Sequence, residues 1–202
     1  LAGYSDDGLD AQAAMIRYNA DGSIDSTFGT NGRVLTDFYT NDFDEINVIK
    51  VHELTGNIVV GGHAYYDYTY FSYNANLLAP VIARYLPNGT PDSTFNGTGI
   101  NVLYTTTTGI GGQSYEIEDL AISPNGRITA VGWKRLVDFQ FIDSDYWVLR
   151  LNSNGTYDVT FGDSGSARFP GAFNQDDYAR SIILNIDNTF VIGGSSFDSQ
   201  TK

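Results

Sequence analysis

One motif returns three times along this chain, and that recurrence limits the fold more than any other property. "IRYNADGSIDSTFGTNG" at 16–32 comes back as "IARYLPNGTPDSTFNGTG" at 82–99 and as "VLRLNSNGTYDVTFGDSG" at 148–165. The arginines Arg17, Arg84 and Arg150 stand 67 and 66 residues apart. Gly22, Gly89 and Gly155 keep step with them, as do Asp25, Asp92 and Asp158, and then Phe28, Phe95 and Phe161. A second motif alternates with the first: "VIKVHELTGNIVVGG" (48–62), "DLAISPNGRITAVG" (119–132) and "SIILNIDNTFVIGG" (181–194). The opening "LAG" reads as the tail of a further copy. A long fixed period marks a chain built from stacked supersecondary units.

Each copy reads as four strands. Apolar runs such as "DLAIS", "RITAVG" and "YWVLRL" alternate with Asn-Gly, Asp-Gly or Thr-Gly pairs, which tolerate the positive φ of tight hairpin turns. No stretch holds a period near 3.6, so no helix is expected. The 22 glycines, 14 tyrosines and 12 phenylalanines suit short pleated strands joined by turns. The expected fold is all-β, made of antiparallel four-stranded blades of a β-propeller. A β-sandwich would not explain the regular return of two different hairpins.

The A-R-Y-x-x-[DN]-G-x-x-D-x-[ST]-F-G stretch, followed by an x-x-G-[KRN]-I-x-x-x-G hairpin, resembles the delta-60 repeat family of bacterial propeller-like proteins. Two departures stand out: Asn96 follows Phe95 in place of glycine, and Asn188-Thr189 replaces the Gly-Lys/Arg turn. The copies are also longer than that family's usual repeat, through inserts. The resemblance implies a propeller in large exported or surface proteins of bacteria, extracellular or at the cell surface, and no defined enzymatic activity.

The phase of the repeat divides the chain into an outer half-blade at 1–38 (hairpin from about 12), complete blades at 45–104 and 115–170, and an inner half-blade at 178–197. These are three blade equivalents, whereas closed propellers hold about 4–8. The expected partners therefore include the remaining blades of a larger propeller, or another copy of the chain. Starting at Leu1, the chain reads as a processed form or an excerpt.

Bulk chemistry narrows the function classes. A net charge of −13 repels nucleic-acid phosphates, and no apolar run reaches the roughly 20 residues of a membrane-spanning helix. Without cysteine there is no disulfide, thiolate metal site or Cys nucleophile. Calcium is the one cofactor that the carboxylates suggest, with Asp21, Asp25, Asp44 and Glu45 as weak candidates. The second copy has Leu86 where Asn19 stands, so a structural turn is the stronger reading of 17–32. "GDSGSA" (162–167) imitates a serine-protease nucleophile segment, but Ser164 falls in the register of Asn31 and Thr98, and His52 and His63 form no triad pattern. "TGIGGQS" (108–114) lacks the lysine of a phosphate loop. With a two-residue turn, Arg17 and Asp25 would fall on opposite sheet faces unless a bulge joins them.

Positions that differ between copies are the better places to seek function. The insert "AYYDYTYFSYNANLL" (64–78) carries Tyr65, Tyr66, Tyr68, Tyr70, Phe71 and Tyr73, and its counterpart "KRLVDFQFIDSDYW" (134–147) carries Phe139 and Phe141. These aromatics are candidates for glycan or protein contact. Carboxylates gather before the inner strands: Asp42, Asp44 and Glu45; Glu116, Glu118 and Asp119; Asp176 and Asp177. Asn88, Asn96 and Asn154 begin Asn-x-Thr sequons that the turns already explain. The leading expectation is a non-catalytic extracellular module acting as scaffold, adhesin or surface-structure component. The alternatives are a carbohydrate-binding propeller and, less favoured, a glycosidase-like enzyme using loop carboxylates.

Overall fold

The computed structural model describes residues 1–6, 11–39, 43–70, 73–103, 112–137, 142–169 and 176–196. Thirteen strands run in chain order: β1 (Ala2–Asp6), β2 (Ala11–Ile16), β3 (Arg33–Thr36), β4 (Asp44–Val51), β5 (Ile58–Tyr70), β6 (Tyr73–Tyr85), β7 (Ile100–Val102), β8 (Gly112–Ile122), β9 (Ile128–Val137), β10 (Ile142–Leu151), β11 (Ser166–Phe169), β12 (Asp177–Leu184) and β13 (Phe190–Ser196). No helix occurs among the described residues. Every pairing is antiparallel, in four meandering sheets: β1-β2-β3, β4-β5-β6-β7, β8-β9-β10-β11 and β12-β13. The first sheet departs from the expected two-stranded half, because "LAG" and the residues after it supply a third strand paired along β2. The four sheets do not close into a ring.

A β-bulge is stamped into the first strand of the second, third and fourth sheets. Ile46 pairs with Gly62 and Val48 with Gly61, which leaves Asn47 unpaired. Glu118 and Arg180 are extruded in the same way. Such a bulge crowds one carbonyl against the neighbouring strand. A Cβ at Gly62, Gly132 or Gly194 would be driven into the carbonyl of Glu45, Glu116 or Tyr178 respectively. That is the physical reason for the repeated glycine after "VVG", "AV" and "VIG".

The core lies between successive sheets. Met15, Phe28, Val60, Val81 and Tyr85 join the first two sheets. Val59, Ile82, Ile117, Leu120, Trp147 and Leu149 join the second and third. Val131, Val148, Ala179 and Ile182 join the third and fourth. Thr36 and the Tyr85 hydroxyl share a 2.8 Å hydrogen bond across the first joint, and burial pushes the Tyr85 phenol up to about 12.

The repeated motif forms a clamp at the outer edge. The turn is longer than two residues: Asn19 N–H bonds to Ser23 O and Tyr18 bridges Ile24. Arg17 thereby stands opposite Asp25, on the same face, which corrects the opposite-face reading of a two-residue turn. Arg17 Nε donates to Asp25 Oδ2 at 2.8 Å, as do Arg84 to Asp92 at 2.8 Å and Arg150 to Asp158 at 3.0 Å. The other carboxylate oxygen accepts the backbone N–H and hydroxyl of Thr27, Thr94 or Thr160. Each guanidinium lies over its phenylalanine ring, 4.7, 4.9 and 4.4 Å from the centroids of Phe28, Phe95 and Phe161. Both motif departures keep the backbone that glycine would have supplied: Asn96 has φ 50° and Asn188 φ 65°, a region asparagine tolerates.

Two outcomes follow. Gly132→Ala should lower stability by about 1–3 kcal/mol through overpacking at the bulge, read from urea unfolding, whereas Gly97→Ala, with nothing within 4 Å of its Cβ site, should lose only its turn preference. Thr27 and Thr160 hydrogen bonds hold Asp25 and Asp158 below the usual carboxylate range; for Asp92, burial opposes ionisation but Thr94 and Arg84 outweigh it. A depressed folded-state pKa gives stability that is present above about pH 4 and lost as pH falls through the lower folded value. The urea midpoint should therefore drop below about pH 4, and the drop should be shallower in Asp92→Asn.

Candidate functional site

The bulge re-aims one side chain per sheet, and these three side chains form a polar row along the innermost strands β4, β8 and β12. Asn47 Nδ2 reaches across to the third sheet and donates to Glu116 Oε1 at 2.8 Å and to Ile117 O at 3.0 Å. Glu118, at the next bulge, accepts from Arg180 of the fourth sheet. One position further on, Lys50 Nζ lies 3.0 Å from Asp119 Oδ1, and Asp119 Oδ2 accepts the Ile182 N–H at 3.0 Å. The row is thus stitched from sheet to sheet.

His63 backs this row. It projects from β5, is buried, and its Nδ1 sits 3.5 Å from Glu116 Oε1. Burial opposes ionisation of Glu116, but His63, Asn47 and Arg180 outweigh it and hold the carboxyl below its usual range. Glu118 is displaced the other way: burial and the neighbouring Glu116 charge raise it, against Arg180 and a hydrogen bond from Trp133. Two carboxyls pushed apart in this manner resemble an acid–base pair. Here, though, each is engaged by its own cation or amide.

Aromatic rings flank the same end of the strands. Tyr4 and Phe43 lie 4.7 Å apart between centroids, and Phe43 meets Tyr65 edge-on at 5.6 Å. Tyr65 also meets His63 at 5.6 Å, and Trp133 contacts Tyr178 at 6.1 Å. The aromatic insert extends the hairpin of β5 and β6 as paired strand as far as Tyr70 and Tyr73. Its counterpart extends β9 and β10 to Val137 and Ile142, at the same end of its sheet. The Tyr66 hydroxyl donates to Gln113 O at 3.3 Å, so the hairpin leans on the third sheet. Tyr68, Tyr70 and Tyr73 are placed only as strand positions. Phe71, Phe139 and Phe141 lie outside the described residues.

The calcium candidates are committed to local geometry. Asp21 Oδ1 accepts the Ser23 N–H and hydroxyl, and Asp25 belongs to the clamp. Asp44 is buried and accepts the Phe38 N–H at 2.6 Å, while Glu45 stands opposite His63 in the ladder. Among the described residues no three His, Cys, Asp or Glu side chains gather closely enough to hold a metal ion. Among the described residues Ser164, with φ 53°, hydrogen-bonds through its hydroxyl to Asp163, and Asn31 shows the same φ in the first copy. Its serine is turn chemistry. His52 caps its own turn, Nδ1 to Thr55 Oγ1 at 2.8 Å. Asn88 and Asn154 accept the N–H of Thr90 and Thr156 within their turns.

At the opposite ends of β4, β8 and β12 an apolar cavity of about 620 Å³ opens among Val51, Leu54, Ile122, Ile183, Leu184 and Ile186. Another of about 510 Å³ lies between the second and third sheets, where Val59 and Ile122 line it together with His52, Asn57, Arg84 and Asp92.

Antiparallel meanders of two to four strands, stacked face to face through shared apolar cores, fit one architecture. The fold is that of a β-propeller. A family model described as a domain of unknown function (DUF5122) beta-propeller matches residues 1–28 and 55–95, which cover the outer motif of the first blade and much of the second. No curated protein matches the chain. No helix among the described residues is long and apolar enough to cross a membrane.

Of the inner row of this propeller, sequence singled out the carboxylates Glu116, Glu118 and Asp119 but not the partners that hold them. Asn47 and Arg180 belong to no motif, and His63 and Glu116 lie on different blades. One signal was available: the residue extruded beside each invariant glycine differs in every copy. Replacing His63 by Phe should move the Glu116 titration upward, since His63 favours the carboxylate, and carboxyl NMR chemical shifts followed against pH would show it.

Proposed function

We propose that this propeller segment is a non-catalytic recognition module of an exported or surface-bound bacterial protein, serving as a scaffold or adhesive element through protein or glycan contacts. The likeness of its outer motif to the delta-60 repeats supports that setting. The observation that carries the reading is a division of labour. Groups shared by the copies are consumed in the clamp and the bulge, while the longest inserts and the extruded residues, which differ between copies, gather at one end.

Glycan is the ligand class that the same end favours. Tyr4, Phe43 and Tyr65, with the buried His63 behind them, form a ring-lined patch beside polar groups, and rings pack against the apolar faces of sugars while carboxylates and amides take their hydroxyls. On a polysaccharide array the wild-type chain should retain a subset of glycans, and Tyr65→Ala should weaken that retention about tenfold, a loss near 1.4 kcal/mol, with an unchanged circular dichroism spectrum. Retention of no glycan would leave a protein-contact scaffold. Release of reducing ends that is abolished by Glu116→Gln would replace the recognition reading with a hydrolytic one.

A further inference from the structure

Asparagine precedes glycine at five places in this chain: Asn31, Asn88, Asn96, Asn125 and Asn154. In such a pair the glycine nitrogen can attack the asparagine side-chain carbonyl and close a ring. Ring closure requires the peptide between the two residues to turn. A main-chain hydrogen bond on that peptide opposes the turn, because it must be broken first.

Four of the five pairs are held. The N–H groups of Gly32, Gly89, Gly126 and Gly155 donate to Phe28 O, Leu86 O, Ser123 O and Asn152 O at 2.8 or 2.9 Å. Asn88 O and Asn154 O are tied as well, accepting the N–H of Gly29 and of Asn96. The Asn96–Gly97 peptide is different. Among the described residues neither the Asn96 carbonyl nor the Gly97 N–H takes part in a hydrogen bond. Asn96 is exposed, and nothing lies within 4 Å of the Gly97 Cβ site.

The other copies of the motif show how this peptide came free. Asn96 stands where the first and third copies have Gly29 and Gly162, and it keeps their left-handed backbone, with φ 50° against 54° in both glycines. In those copies the next N–H, of Thr30 or Asp163, donates to Arg33 O or Ser166 O at 2.7 Å. The matching acceptor in the second copy is Ile100 O. It is taken instead by Asn96 Nδ2 at 3.0 Å and by the Thr98 hydroxyl at 3.0 Å. The asparagine that replaces glycine thus occupies the acceptor of the amide that follows it, and releases the nitrogen able to attack its own side chain.

We propose that Asn96 is a self-modifying site, converted to isoaspartate and aspartate without an enzyme, and that its conversion weakens the joint between the second and third blades. The Gly97 nitrogen gives its proton to a solvent base and bonds to Asn96 Cγ. The Cγ–Nδ2 bond breaks, and Nδ2 leaves as ammonia with a proton from water, which closes a cyclic imide. Water then opens the imide at either carbonyl. The joint is affected because the Asn96 N–H is the group that bonds Asn154 O of the next blade, at 2.8 Å. Isoaspartate adds a methylene to this stretch of main chain, and the new carboxylate can no longer donate to Ile100 O. The proposal stands independently of the recognition reading.

Mass spectrometry of peptides from the purified chain, aged in mildly alkaline buffer, tests it. Asn96 should exchange its amide for a carboxyl about fivefold or more faster than Asn31, Asn88, Asn125 or Asn154, the factor that one retained hydrogen bond imposes on the others. In denaturant the five should react at similar rates, since the fold alone separates them. Asn96→Gly restores the residue of the sister copies; it should fold with an unchanged circular dichroism spectrum and keep its urea midpoint on ageing, while the aged wild type loses part of its own. Equal rates at the five sites in the folded chain, a faster reaction at another Asn-Gly pair, or an aged wild type with an unchanged urea midpoint would overturn the proposal.

Discussion

Everything in this structure hangs on the arginine of the outer motif. Its guanidinium binds the motif aspartate, lies on the motif phenylalanine and, in the first two copies, hands one N–H to a carbonyl of the next blade. A buried ion pair is worth keeping only when its remaining donors and acceptors are satisfied. Arg84 and Asp92, the most deeply buried of the pairs, meet that condition: Thr94 serves both partners, and Ser153 O and Asn57 take up the remaining valences. The clamp thereby converts a local hairpin into a directional joint between sheets.

The bulge acts at the other edge of each blade. It lets an innermost strand bend while extruding one side chain, and the glycine opposite makes room for the displaced carbonyl. Clamp and bulge together hold the blades rigid, and variation can then collect in hairpin length and in the three extruded residues without threatening the fold. Asn47, Glu118 and Arg180 are as different as side chains can be, yet they occupy one structural position. The residue just before each, Ile46, Ile117 or Ala179, remains apolar and buried.

Sequence carried most of the architecture and little of the candidate site. Arg17, Asp25 and Phe28 were recognisable as a unit through recurrence, but their meeting on one face was not. A two-residue turn at Asp21-Gly22 was the natural reading, and one extra turn residue shifts the ladder and reverses the face. The third strand of the first sheet was missed because "AGYSD" is too short and polar to announce itself; pairing along β2 forms it. Tyr65 and Tyr66 were legible as an aromatic insert. Their partners Phe43 and Gln113 were not, since those contacts join separate segments of the chain and, for Gln113, separate blades.

By itself the sequence determined that this protein is a stack of antiparallel four-stranded units: periodic turns, alternating hairpins and absent helical periodicity all follow from local stereochemistry, which each copy states afresh. Tertiary structure decided how those units meet. The pairing of His63 with Glu116 and the split ionisation of Glu116 and Glu118 depend on groups about 50–70 residues apart and on neighbours that differ from one copy to the next. A repeat can specify its own fold locally, but it cannot specify from one copy what the adjacent copy brings.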